Sequence, residues 1–92
     1  MKVYEEKIED MVGKVSVLIQ KDGRNVEIVI RSRVDSSRLF ECKYQTDQPD
    51  RPAYYDAERI AQYYCNSNGL TIELKTTNVE LPFIGNANNK TR

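Results

Sequence analysis

The sequence predicts an α+β fold of two layers: a three-stranded antiparallel meander, a fourth strand, and one main helix on the sheet, in the order α-β-β-β-α-β. Three observations predict it. Asp22-Gly23 separates two runs of alternating apolar residues, Val15/Val17/Ile19 and Val26/Ile28/Ile30. A third alternating run carries Phe40, Cys42 and Tyr44. Beyond a proline-containing loop, Ala57, Ile60, Ala61 and Tyr64 recur at helical spacing and stop at Asn68-Gly69. A period of two reads as half-buried strand, and a period of 3.6 as amphipathic helix.

Residues 2–12 place Tyr4, Ile8, Met11 and Val12 on one helical face, with acids elsewhere. They predict a short amphipathic helix ended by Gly13; a strand or a loose arm is the alternative. Asp22-Gly23 suits a type I′ hairpin turn. That turn pairs Ile19 with Val26, Val17 with Ile28 and Val15 with Ile30, and all six side chains share one face. A short loop at Val34-Asp35-Ser36 then sets Phe40 opposite Ile30, Cys42 beside Ile28 and Tyr44 beside Val26. On the other face Glu27 meets Lys43, a cross-strand pair of opposite charge.

The segment TDQPDRPAYYD reads as a loop. Asp56 is the expected N-cap of the main helix, with a start near Pro52 as the alternative. The stripe Ala57/Ile60/Ala61/Tyr64 faces the sheet, and its small alanines allow a close approach. Leu70, Ile72 and Leu74 alternate in a fourth strand, beside either the first or the third. Val79 to Ile84 form an apolar clip whose Pro82 excludes a central strand. Residues 1–84 are expected to form one domain, and Gly85 to Arg92 a disordered tail.

Formal net charge is zero over 92 residues, but the charge is unevenly spread. Residues 13–46 carry seven basic and four acidic side chains, while both flanks are net acidic. This is not the balance of a dedicated nucleic-acid binder. The acidic N-terminus lacks the apolar stretch of a secretory signal, and no apolar run approaches the ~20 residues of a membrane helix. A cytoplasmic, reduced protein is expected, without membrane association, as a monomer or homodimer.

The chain has no histidine, so the commonest general base and metal ligand are missing. Cys42 and Cys65 lack zinc-site spacing and read as small buried hydrophobes; in an oxidising compartment they would be candidates for a disulfide. Asp47, Asp50 and Asp56 fit loop and cap chemistry. The glycines form no phosphate-binding loop. No catalytic, cofactor or metal site is expected.

The candidate partner-binding residues are of three kinds. Arg31, Arg33 and Arg38 cluster where the second and third strands join, and arginine suits carboxylate or phosphate. Tyr54, Tyr55 and Tyr63 have no evident core position, and exposed tyrosine with arginine marks interface hot spots. Leu18, Val29 and Leu39 make a diagonal apolar stripe on the outer sheet face. The N-terminal helix or the clip covers that stripe, or it is open to a partner.

A DG-type hairpin, a third strand, a polar loop, an alanine-bearing helix and a closing strand make up residues 14–76. In this order of elements the chain resembles several small phage-encoded inhibitors of bacterial defence, some anti-CRISPR proteins among them. The likeness is of element order alone, with no shared motif. It implies a non-enzymatic protein that binds a larger host nuclease complex and blocks it, in the host cytoplasm. The alternative is a nucleic-acid-binding module using Arg31, Arg33, Arg38 and the tyrosines. Double-stranded RNA-binding domains share the α-β-β-β-α order, but their basic motif at the start of the last helix is absent: that stretch reads DAERIAQ.

Overall fold

A computed structural model describes residues 11–81. Within them lie β1 (Lys14–Asp22), β2 (Asn25–Ser32), β3 (Arg38–Gln45), α1 (Asp50–Ser67) and β4 (Thr71–Thr77). The order of described elements is thus β-β-β-α-β, not the expected α-β-β-β-α-β. The helix predicted over residues 2–12 falls almost wholly outside the described residues, as do the end of the clip and the tail at 85–92.

The strands form one mixed sheet in the order β3-β2-β1-β4. The meander is antiparallel, and β4 runs parallel to β1. Sequence had left β4 beside either edge. The helix decides it. α1 seats its small residues over β1 and β2, and the chain leaves it beside the start of β1, where the Thr71 N–H donates to the Gly13 carbonyl at 2.8 Å.

The first hairpin is displaced from its expected register. Ile19 pairs with Ile28 and Val17 with Ile30, and the strands end at Asp22 opposite Asn25. The two-residue turn is therefore Gly23-Arg24, not Asp22-Gly23. Gly23 has φ +62°, while neither Asp22 nor Arg24 has a positive φ. Glycine at the first central position is the mark of a type II′ turn, which spares Asp22 the left-handed conformation that a type I′ turn would impose. The displacement is by two residues, so every side chain keeps its predicted face. Val15, Val17, Ile19, Ile28 and Ile30 are all buried to within 1 %.

The second register is as predicted: Phe40 opposite Ile30, Cys42 opposite Ile28, Tyr44 opposite Val26 and Glu27 opposite Lys43. The register shifts between Ile30 and Arg31, which pairs Arg31 with Arg38 and leaves Leu39 as the extra residue of a bulge on β3, just after the connecting loop. Ser36 sits there at φ 65°. Asp35 Oδ1 accepts bonds from the Ser37 N–H and hydroxyl at 3.0 and 2.8 Å. Those bonds hold the Asp35 carboxyl below the usual range.

α1 is capped at Pro49, seven residues and about two turns before the expected Asp56 cap, and close to the alternative start near Pro52. Pro49 occupies the cap position with no side-chain bond, and its carbonyl accepts the Ala53 N–H at 3.0 Å. Pro52 is tolerated because first-turn N–H groups have no helical acceptor. The buried stripe is Ala53, Tyr54, Ala57, Ala61 and Cys65. Ile60 is exposed and Tyr64 half-buried, so the stripe is rotated from the one predicted. At the other end the Leu70 N–H reaches the Cys65 carbonyl at 2.8 Å, and that of Gly69 reaches Asn66 at 3.5 Å. With Gly69 at φ +68°, this is the Schellman stop that Asn68-Gly69 announced.

Beyond β4, Val79 and Leu81 enter the core as the clip reading expected. Asn78 ties this segment to β1: its side chain accepts from the Lys21 N–H at 3.0 Å and donates to the Lys21 carbonyl at 2.9 Å.

Candidate interaction surface

α1 covers one face of the sheet. The opposite face is built by the alternate residues of each strand. A register irregularity between Val15 and Ser16 skips Glu73, so that Ile72 pairs with Val15 but Leu74 pairs with Ser16. Paired residues point to the same side of a sheet. Leu74 is thereby turned outward and 49 % exposed, a correction to the prediction that Leu70, Ile72 and Leu74 share one face. Leu70 and Ile72 do pack on the core.

This turn completes a feature that was only partly legible. Leu18 and Val29 are directly paired on the two central strands. Leu39 lies on β3 one outward step away, and Leu74 on β4. The four side chains make an apolar band across the whole outer face. Its centre is closed: Val29 is only 3 % exposed, although it is outside the main core, and Leu18 is half-buried. Its two ends are open, at Leu39 (40 % exposed) and Leu74. Of the expected stripe Leu18, Val29 and Leu39, covered or open, only Leu39 emerges, and Leu74 joins it from β4.

The arginines do cluster as predicted, but each one is engaged. Arg31 Nη1 donates to the Ser36 carbonyl at 2.9 Å. Arg38 pairs with Glu41 at 2.9 Å. Arg33 Nε lies 3.6 Å from Glu73, which also faces Lys14 at 3.7 Å. The three arginines, expected to outnumber the acids near them and form a positive patch, are instead met by Glu41 and Glu73. Glu73 arrives from β4, forty residues along the chain, where no local pattern could reveal it. Glu27 and Lys43 stand opposite each other but form no ion pair within the described residues.

Of the tyrosines, Tyr63 is 75 % exposed as expected, and Tyr55 is half-buried. Tyr54 belongs to the core instead, 6 % exposed, because the earlier helix start carries it into the buried stripe. Burial raises its phenol pKa, and Glu58 adds to the shift. Tyr64 stacks on Phe40 with ring centroids 4.7 Å apart, and its hydroxyl donates to the Leu39 carbonyl at 3.0 Å.

The chemistry-bearing residues have structural roles. Asp47 pairs with Arg24 at 2.9 Å, Asp50 with Lys21 at 2.8 Å, and Asp56 with Arg59. Lys75, on the helix side of β4, bonds Glu58, which holds its ammonium pKa up. Both cysteines are free thiols; Cys65 is fully buried, which raises its pKa, and Cys42 is half-buried. Among the described residues no cluster of acids and cysteines has the geometry of a metal site, and no helix is long and apolar enough to cross a membrane. A groove of about 700 Å³ at the hairpin end is lined by Gln20, Lys21, Glu27, Lys43 and Tyr44. Its Lys21 ammonium is already held by Asp50 and by the Gly23 carbonyl at 2.6 Å. Compared with protein-family models, with curated proteins and with solved structures, the chain gives no match.

Proposed function

We propose that this chain is a small binding protein, with no chemistry of its own, that inhibits a larger protein or nucleoprotein complex by covering part of it. The observation that carries this reading is the outer apolar band, open at Leu39 and Leu74 and bordered by Arg31, Arg33, Arg38, Glu41 and Glu73. Apolar anchors within a rim of paired charges suit a protein surface. A bare phosphate backbone would call instead for free cations. The three arginines here already have acceptors, which leaves the nucleic-acid reading weaker. The order of elements in residues 14–76 resembles that of some small phage-encoded defence inhibitors, and on that resemblance a bacterial nuclease complex is the first target to try.

The test is affinity capture from bacterial lysate with the wild-type chain, with Leu39→Lys and with Leu74→Lys. Both positions are open enough to accept lysine without unfolding. Wild type is expected to retain a defined complex that both variants lose while keeping its circular dichroism and melting temperature. Equal capture by both variants would remove the outer face from the reading. Capture of nucleic acid alone, with log K falling steeply against log salt, would favour the alternative.

A further inference from the structure

The sheet ends at β3, and the ladder shows which of its groups are unpaired. The Thr46 N–H donates to the Arg24 carbonyl at 2.8 Å. In an antiparallel pair, hydrogen-bonded and non-bonded positions alternate. Tyr44, Cys42 and Phe40 therefore turn their main-chain groups toward β2, while Gln45, Lys43, Glu41 and Leu39 turn theirs to the free edge. The Leu39 carbonyl is taken by the Tyr64 hydroxyl at 3.0 Å. Among the described residues the edge from Glu41 to Gln45 is uncovered and has no proline, and the bulge of β3, at Leu39, lies outside it. Such an edge is a template for another strand.

Both faces of β3 carry unfinished packing. Phe40, Cys42 and Tyr44 point to the helix side, yet each is only half-buried, because α1 packs mainly over β1, β2 and β4. On the outer side Glu41 and Lys43 are exposed; one Glu41 oxygen accepts from Arg38 of its own chain at 2.9 Å, and Lys43 has no ion-pair partner among the described residues.

We propose that β3 pairs antiparallel with β3 of a second copy of this chain, about a two-fold axis at Cys42, joining the two sheets into one. The register is fixed by charge and by ladder parity. Centred on Cys42, it sets Glu41 opposite Lys43 of the second copy, and Lys43 opposite Glu41, both at positions whose N–H and C=O groups are free to bond. On the helix side the same register sets Phe40 against Tyr44 of the second copy, and the reciprocal pair follows by symmetry. A shift one pair either way sets Glu41 against Glu41 or Lys43 against Lys43, which is repulsive. The interface is isologous and closes on itself, so it ends at a dimer. It does not depend on the function proposed above, and it leaves Leu74 open.

The test is sedimentation equilibrium on the full chain. The wild type is expected to be a dimer. Glu41→Lys and Lys43→Glu each turn both attractive cross-strand pairs into repulsive ones, which raises the dimer dissociation constant about tenfold or more. The doubly swapped protein, Glu41→Lys with Lys43→Glu, restores both pairs in reverse and is expected to dimerise like wild type. Because the swap regains assembly only if the chain folds, misfolding cannot be mistaken for lost pairing. The cysteine at the axis gives a second readout. Non-bonded antiparallel pairs have Cα atoms ~4.5 Å apart, within reach of a disulfide. Mild oxidation should link two copies through Cys42, and Cys42→Ser should abolish the link. A wild type that stays monomeric at the highest attainable concentration would overturn the proposal. So would single variants that assemble as wild type does, or a swap that fails to restore the dimer.

Discussion

Gly23→Val separates the turn that the structure contains from the turn that the dipeptide Asp22-Gly23 suggests. Gly23 has φ +62°, and a Cβ built there would meet nothing within 4 Å. The cost of a side chain at this position is therefore backbone strain, with no contribution from crowding. An L-residue in the left-handed region costs roughly 1–2 kcal/mol, and a β-branched one sits at the upper end. For a domain of this size each kcal/mol lowers the melting temperature by roughly 4–8 °C, so Gly23→Val should melt roughly 5–15 °C below wild type. Asp22 supplies the contrast. It is a β1 residue paired with Asn25, with no positive φ. Asp22→Val is an exposed strand substitution, expected to stay within about 0.5 kcal/mol of wild type. A type I′ turn centred on Asp22-Gly23 would need positive φ at both positions and would penalise both variants. The assay is thermal unfolding followed by circular dichroism, with urea midpoints as a check. Equal losses from the two substitutions would refute the Gly23-Arg24 turn, and no loss from Gly23→Val would refute the strain.

Stability should decline on the alkaline side. The pKa values of Cys65, Tyr44 and Tyr54 are raised chiefly by burial, and that of Lys75 by its bond to Glu58. Each of these groups holds its proton more tightly when folded. Their contribution is complete below the unfolded values and is lost as pH rises through the folded ones. The urea midpoint should therefore fall from about pH 9 upward, and Tyr54→Phe should shallow the fall; a flat profile would contradict it. In native protein a thiol reagent should modify half-buried Cys42 first and reach Cys65 only on unfolding, and prompt labelling of Cys65 would show that α1 is not seated as described.

The faces of the three meander strands were legible from the sequence alone. Alternation at Val15, Val17 and Ile19 assigns those residues to one side whatever their partners, because a strand's side chains repeat every two residues. The error in the first hairpin register was an even number, so it cost nothing in the core. The β2–β3 register was legible because Ile28, Cys42, Glu27 and Lys43 constrain each other from both faces. The helix stop at Asn68-Gly69 was equally local, since its bonds join residues within a turn of each other. Helix onset was legible only as the alternative start near Pro52, because burial of Tyr54 against the sheet outweighs the capping preference of Asp56.

The outer surface was decided by the tertiary structure. Leu74 faces outward because parallel pairing of β4 with β1 skips Glu73, and nothing within LTIELKT marks that skip. The same pairing brings Glu73 to Arg33 and Lys14 and removes the excess positive charge that the arginines suggested. Pattern along a chain records which side of its own element a residue takes only while that element stays regular, as β4 does not. Which element lies alongside depends on where α1 can bury its alanines and Cys65, and that is a balance over the whole core.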